Sequence, residues 1–298
     1  MPAERRPGMD HGWYRYEPLP ARPPLPLPGG ARLALWVVLH LEHWELAAPE
    51  GAHTAPGVHG HWGRTFPDCR TYSHREYGNR IGFFRVLDVL DRHGIRATVA
   101  ANAAACERYP ELVDACRARG YEFAGSGTHA TRMITSLLSE PEERAVIASV
   151  LDTIERTTGT RPVGWIGQDH GESARTPGLL DDAGLRYVAD WPNDEQPYRM
   201  TTERGLVSLP RQPEWDDVQL LWLRQQPSPA YPRWVGAAFD RLWQEGAERP
   251  RTFEISVHPW LLGQAHRIRY LDEALAAARS REAVWHATGA QIAELVET

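Results

Sequence analysis

From about residue 78 to the C-terminus, apolar runs of strand length alternate with helix-length amphipathic segments, and glycine or proline marks most junctions. A helix over 78–93 carries Ile81, Phe84, Leu87, Val89 and Leu90 near helical spacing, stops at Gly94 and leads into a strand over 95–101. Pro110 opens a helix to 119, Gly120 ends it, and a strand over 121–124 follows. Ser139-Glu-Pro-Glu142 is a capping sequence for a helix to about 157, before a strand over 163–166. Thr176-Pro177 opens the next helix, Gly184 closes it, and 185–189 reads as a strand. A strand over 206–209, a helix over 232–245, a strand over 253–258 and helices over 269–280 and 288–297 complete the series, and one earlier strand lies at 32–40. Such alternation implies parallel strands with helices outside, and seven or so strands favour a closed or nearly closed barrel.

Ahead of the first strand, residues 18–30 form a Pro-rich extended arm, which sets the expected division: an arm over 1–31 and a single barrel domain over 32–298. The loop over 46–76 is long for a compact domain and carries His53, His59, His61, Asp68, His74 and Glu76. These four histidines are expected to be solvated or interfacial.

Composition narrows the function classes. The net charge of −6, without a block of like charge, argues against a nucleic-acid partner. No apolar run is longer than a strand, so no membrane span is expected, and Arg5 and Arg6 are not followed by a signal-peptide core. Cys69, Cys106 and Cys116 match no zinc spacing and read as reduced thiols of a cytoplasmic protein. All 33 basic side chains are arginine, which excludes a Schiff-base lysine and a carboxylated lysine bridging two metals.

The strand ends carry the chemistry, as they do in parallel α/β folds. The strand from Arg32 ends in His40, Glu42, His43, and the strand from Phe253 ends in His258-Pro-Trp260. Between them lie Asn102, the run Ser126-Gly127-Thr128-His129, the run Gln168-Asp169-His170-Gly171-Glu172, and Asp190-Trp191. His40 is expected to make a core hydrogen bond. Glu76 and Arg80 are expected either to reach the pocket or to form a structural salt bridge. Trp165, Trp191 and Trp260 either wall a planar substrate or pack in the core.

Four stretches resemble the polysaccharide deacetylase (NodB-homology) superfamily over residues 30–297: Glu76-Tyr-Gly-Asn-Arg80-Ile-Gly-Phe-Phe-Arg85, Thr158-Gly-Thr-Arg161-Pro-Val-Gly164-Trp165, Tyr187-Val-Ala-Asp190-Trp191 and Ser256-Val-His258-Pro. The chain looks most like the branch holding metal-independent-type allantoinases and bacterial cyclic imide hydrolases (imidases). The resemblance implies an α/β fold, a distorted seven-stranded (β/α) barrel. It also implies departures from the deacetylases. Glu42 and His43 stand where the family has two aspartates, and Ser126 and Ala130 where it has two metal-binding histidines, with His129 alongside. Metal-free catalysis is therefore the favoured expectation, and a divalent metal such as zinc on His43, His129 and His61 the alternative.

The expected activity is hydrolysis of the C–N bond of a cyclic imide or related cyclic amide or ureide. Glu42 is expected to activate water, His258 to protonate the leaving nitrogen, and Asp190 to orient a histidine or bind the ring N–H. Ser126 and Gly127 are expected at the oxyanion, Gln168 and Asp169 at the imide edge. Glu76, Arg80, His129, Trp191 and Trp260 complete the substrate-binding set. The alternatives are allantoinase proper, N-deacetylation of a polysaccharide or peptidoglycan, and ligand binding without catalysis. By analogy with similar allantoinases, a homo-oligomer, dimer or tetramer, is expected.

Overall fold

In a computed structural model the described residues are 11–297, apart from 56, 58, 60, 61, 63 and 64. Strand β1, Leu33–Leu41, is buried along its whole length and organises the sheet. It is followed by helices α1 (Cys69–Tyr77) and α2 (Phe83–Arg92), joined by a π-helical turn at Gly78–Gly82. Next come β2 (Thr98–Ala101), α3 (Ala103–Arg108), α4 (Pro110–Ala118), β3 (Glu122–Gly125) and α5 (Glu140–Thr158). The chain continues through β4 (Gly164–Trp165), α6 (Thr176–Asp182), β5 (Tyr187–Val188), β6 (Tyr198–Arg199) and β7 (Val207–Ser208). It ends with α7 (Tyr231–Glu245), β8 (Arg251–Val257), α8 (Ile268–Arg279), β9 (Val284–Ala287) and α9 (Gly289–Glu297).

The nine strands form one sheet in the order β6-β7-β5-β4-β3-β2-β1-β8, with β9 on β1. Every pairing is parallel except β6 with β7. Leaving out β6 and β9, the path holds seven parallel strands, the distorted (β/α) barrel expected from the sequence, with no strand pairing across the seam between β7 and β8. Helix α1 replaces the last part of the loop expected over 46–76, because Asp68 caps it at Thr71 N, and α3 was not expected. Two short strands were not expected either. β6 is one. The other is β9, which pairs Leu33–Trp36 on the edge of β1 whose upper half, Val38–Leu41, pairs β2.

Side-chain alternation splits β1 between two cores. Leu33, Leu35, Val37, Leu39 and Leu41 face the helices, whereas Ala34, Trp36 and Val38 fill the barrel with Ala100, Ala124, Tyr187 and Val207. At the lower end Trp36 donates its indole N–H to Thr98 Oγ1 at 2.8 Å. Thr98 and Tyr187 each donate a hydroxyl to Glu122 at 2.8 Å, and Ala290 N at the start of α9 donates to the same carboxylate. One end of the barrel is thus plugged by residues that satisfy one another.

The helix expected over 78–93 divides in two. Gly78 and Gly82 lie against the chain at Pro259 and Trp260 so closely that a Cβ would stand 2.6 Å from Trp260 N and 2.2 Å from Pro259 O. The wider π turn takes up the spacing that this contact demands. The arm turns at Leu19–Ala21 and Pro28–Gly30, buries Leu27 and Ala31, and is tied down by an Arg22–Asp194 ion pair at 2.8 Å. Among the described residues no helix is long and apolar enough to cross a membrane, and all three cysteines are unpaired.

Trp36 tests the packed interior. Replacing it by alanine is expected to lower unfolding stability by about 3–5 kcal/mol, chiefly through the cavity left in the barrel. Urea denaturation followed by circular dichroism measures this, and a loss under about 1 kcal/mol means the barrel is not filled as described.

Candidate active site

The alternation that sends Trp36 and Val38 inward sends His40 and then Glu42 to the same side, at the C-terminal mouth. β8 runs beside β1 in register, Val38 against Ser256 and Leu39 against Val257, so His258 arrives next to His40. The two imidazoles stack with centroids 3.8 Å apart and planes 12° apart. His40 Nε2 hydrogen-bonds Ser256 Oγ at 2.8 Å, the expected core bond. Burial first, then the charges of His258 and Arg211, hold His40 well below the usual histidine range, so it is neutral beneath its neighbour.

His258 is fixed by Asp217. The aspartate accepts the His258 backbone N–H at 2.8 Å and Nδ1–H at 2.6 Å, which turns Nε2 into the cavity. Burial pulls the His258 imidazole down, but the charge and hydrogen bond of Asp217, with the charge of Glu42, more than reverse this and hold it at about 9. Burial raises Asp217 to about 6 against the pull of His258, so at neutral pH the proton sits on the histidine. Glu42 Oε1 stands 3.8 Å from His258 Nε2, too far for a hydrogen bond and near enough for charge attraction. The Glu42 carboxylate accepts Trp44 Nε1–H at 3.0 Å and Gln168 Nε2–H at 3.1 Å, and Asn79 of the π turn holds its backbone carbonyl at 2.8 Å.

Glu42 and His258 share one cleft of about 700 Å³, part of it open to solvent. Gln168, Asp169 and His170 enter it from the turn after β4, where Asp169 and His170 adopt positive φ of 49° and 55°. For residues with a Cβ that conformation costs roughly 1–2 kcal/mol each, and here it directs side chains into the site. Burial and Asp216 push Asp169 up to about 6. Trp44, Trp222 and Trp260 supply aromatic walls, and Arg75 and Arg211 supply cations. Arg211 Nε donates to Ala189 O at 3.0 Å, and the guanidinium reaches toward Glu254 at 3.9 Å, bridging the seam between β7 and β8. Gln168 Oε1 and Trp260 Nε1 are buried and have no hydrogen-bond partner among the described residues.

Of the residues singled out from sequence, His40, Glu42, His258, Gln168, Asp169, His170 and Trp260 line this cleft. The others do not line it, for local reasons. Asp190 lies behind the 167–172 turn, where its carboxylate accepts Gly167 N at 2.8 and 3.0 Å, and burial raises it to about 7. Trp191 donates to Glu172 at 3.0 Å and packs edge-on to Tyr14 of the arm. Ser126 accepts Asn102 Nδ2 at its carbonyl, and at Gly127, φ 79°, the chain turns back onto α3 through Ala103 N. His129 sits 3.9 Å from Glu45, Glu76 takes the Tyr109 hydroxyl, and Arg80 is exposed. Trp165 is core. His74, expected to be solvated or interfacial, is half-buried and stacks on Trp222. Asp217, Asp216, Arg211 and Arg75 were missed. The first three follow β7, so the strand-end rule applied to 206–209 points to them.

Two groups among the described residues bring three potential ligand atoms within 4.8 Å: His40, Glu42 and His258, and Asp216, Asp217 and His258. Neither fits a tetrahedral divalent ion. Stacked imidazoles keep their lone pairs in nearly parallel planes, so one ion cannot lie in both. In the second group His258 Nδ1 is already bound to Asp217. His43 and His129 belong to neither group, with ring centroids 5.8 Å apart and His43 Nδ1 on Tyr109 OH at 3.0 Å. Their suggested third partner, His61, lies outside the described residues. Trp44 packs on Ala130, a position that the sequence resemblance set against a metal-binding histidine.

Comparisons with known proteins agree with this architecture. The polysaccharide deacetylase family model matches residues 65–188. A putative polysaccharide deacetylase of Schizosaccharomyces pombe is 29% identical over 241 residues, covering 74% of this chain and 73% of its own. The crystal structure of a probable polysaccharide deacetylase from Pseudomonas aeruginosa PAO1 superposes with TM-score 0.79 at 26% identity, over 92% of this chain and 94% of that one. Puue allantoinase superposes with TM-score 0.79 at 25% identity, over 92% and 93%.

The Asp217–His258 pair generates a prediction independent of any substrate. In Asp217→Asn the charge that holds the His258 proton is gone and burial dominates, so the imidazole pKa is expected to drop from about 9 to below the usual histidine value of about 6.5. NMR titration of the His258 ring protons reads it, and an unchanged midpoint removes Asp217 from the pair.

Proposed function

We propose that this chain, which carries a polysaccharide deacetylase domain on the barrel of that superfamily, is a hydrolase that opens the C–N bond of a small cyclic imide, amide or ureide. The observation that carries the reading is the facing of Glu42 and a protonated His258 across 3.8 Å at one end of an aromatic-walled cleft. A carboxylate and an imidazolium at that spacing are a base and an acid for one reaction. Glu42 takes a proton from water as the water oxygen attacks the ring carbonyl. His258 gives its Nε2 proton to the departing nitrogen, while Asp217 keeps the imidazole oriented and restores its affinity for the proton.

The ring enters the reading through the walls and the open hydrogen-bonding groups. Trp44, Trp222 and Trp260 offer flat apolar faces. The unpartnered Gln168 Oε1 accepts a ring N–H, and the unpartnered Trp260 N–H donates to a carbonyl. An imide nitrogen also leaves as a delocalised anion, which lowers the demand for a Lewis acid where the metal positions of the family hold Ser126 and Ala130. The similarity to an allantoinase supports a ring amide as substrate. The same reading takes in a cytoplasmic homo-oligomer, supported by the unpaired thiols and by Phe66 and Leu137, 89% and 80% exposed.

The test is turnover of succinimide, phthalimide, hydantoin, dihydrouracil and allantoin, set against an N-acetylglucosamine oligomer. At least one ring compound is expected to be opened, with Glu42→Gln and His258→Asn each losing about 10²- to 10⁴-fold in kcat. The rate is expected to fall as pH rises through about 9, where His258 loses its proton. Chelation is expected to leave turnover unchanged. Deacetylation of the oligomer without ring opening, or a stoichiometric metal whose removal abolishes activity, reverses the reading.

A further inference from the structure

Arg75 lines the cleft beside Glu42 and His258, and the reaction above leaves it without a task. It sits on α1, the helix whose continuation rests on Pro259 and Trp260 through Gly78 and Gly82. The residue is 3% exposed. Its Cζ lies 3.3 Å from the centroid of Trp260, 4.9 Å from Trp44 and 5.1 Å from Trp222. Two of these indoles also serve the reactive pair. Trp44 donates its N–H to Glu42, and the Trp260 ring lies 6.0 Å from the ring of His258. The guanidinium is therefore pinned by the same side chains that flank the base and the acid.

A guanidinium held face-on by an indole keeps its donors in one plane, directed sideways past the ring. Burial lowers Arg75 to about 9, opposed by the charges of Glu42 and Asp68, so it remains a cation at neutral pH. In the reaction proposed above an anion forms within this cleft, on the carbonyl oxygen.

We propose that Arg75 stabilises the oxyanion created when water adds to the substrate carbonyl, and afterwards holds the carboxylate of the ring-opened product. This rests on the ring-opening reading. The water oxygen bonds to the carbonyl carbon as Glu42 takes one proton, and the carbonyl π pair moves onto oxygen beside Arg75. On collapse that pair re-forms C=O, the C–N bond breaks with its electrons going to nitrogen, and nitrogen takes the His258 proton. The acid so formed loses its proton to solvent and stays as a carboxylate against the guanidinium, and the proton held by Glu42 passes to His258, 3.8 Å away, restoring both groups.

The experiment compares the whole wild-type chain with Arg75→Met and Arg75→Lys, using succinimide as substrate, succinamate as its ring-opened acid and succinamide as a neutral analogue. Arg75→Met is expected to lose about 10²- to 10³-fold in kcat with KM changed by less than about threefold, the pattern of a contact made only in the transition state. Arg75→Lys, which keeps the charge but not the fork, is expected to lose less. In the wild type, succinamate is expected to bind roughly tenfold or more tighter than succinamide by tryptophan fluorescence titration, and this preference is expected to vanish in Arg75→Met. Should Arg75→Met not fold, the lysine variant and the wild-type acid-to-amide ratio decide. No turnover of any ring compound sinks the ring-opening reading, and an acid preference lost with Arg75 then still supports an anion site there. Wild-type kcat in either folded variant, or equal binding of acid and amide by the wild type, overturns the proposal.

Discussion

Parallel pairing of β1 with β8 from Leu33 opposite Arg251 to Leu39 opposite Val257 determines what the mouth of the barrel contains. A parallel pair in register places side chains of equal parity side by side, and a slip of one residue turns each to the other face. Here the register stacks His40 on His258 and leaves Glu42, one inward step further along β1, reaching over the gap. The interior core beneath holds that register. Trp36, tied to Thr98 and packed on Tyr187, has no room to move outward.

Electrostatics then assign unlike states to like groups. Two imidazoles in contact cannot both be protonated cheaply, and their surroundings separate them. His40 has a hydroxyl partner and cationic neighbours, whereas His258 has a buried carboxylate on Nδ1 and a second carboxylate opposite Nε2. Breaking the buried Asp217–His258 pair from one side leaves an uncompensated charge, a change that typically costs about 3–5 kcal/mol, so the pair is structural as well as chemical. Asp190 and Glu172 do a related task out of contact with the cleft. They brace the turn whose strained residues present Gln168 and Asp169.

Much of this was legible in the chain because it obeys periodicities. The strand over 32–40 read as an apolar run ending in His40, Glu42 and His43, and the β–α alternation predicted both the parallel order and the end of the barrel at which they emerge. Loop-borne groups were harder to read. Asp217 lies just before a π-helical turn over Val218–Leu223, and Arg75 is held in an aromatic cage assembled from three separate stretches. Neither arrangement leaves a period in the sequence. The strand-end rule also over-reached. Ser126, Gly127, His129 and Trp191 follow strands, but main-chain bonds and the arm draw them out of the cleft. A strand end names candidates, and the turn after it decides which of them face inward.

The departures from the metal-binding pattern are coupled through space. Ala130 packs against the Trp44 indole, and the same indole hydrogen-bonds Glu42 and lies near Arg75. Substituting histidine for Ala130 alone would therefore meet an indole, and removing the indole would release the carboxylate and loosen the guanidinium together. For the proposed reaction, a cation on an aromatic bed and a carboxylate held by two N–H donors meet the condition under which fixed charges stabilise a transition state without reorganising. A divalent ion offers a stronger field but needs three lone pairs converging on one point. Stacking His40 on His258 forgoes that convergence at this end of the barrel, and in its place the stack supports one protonated imidazole aimed into the cleft.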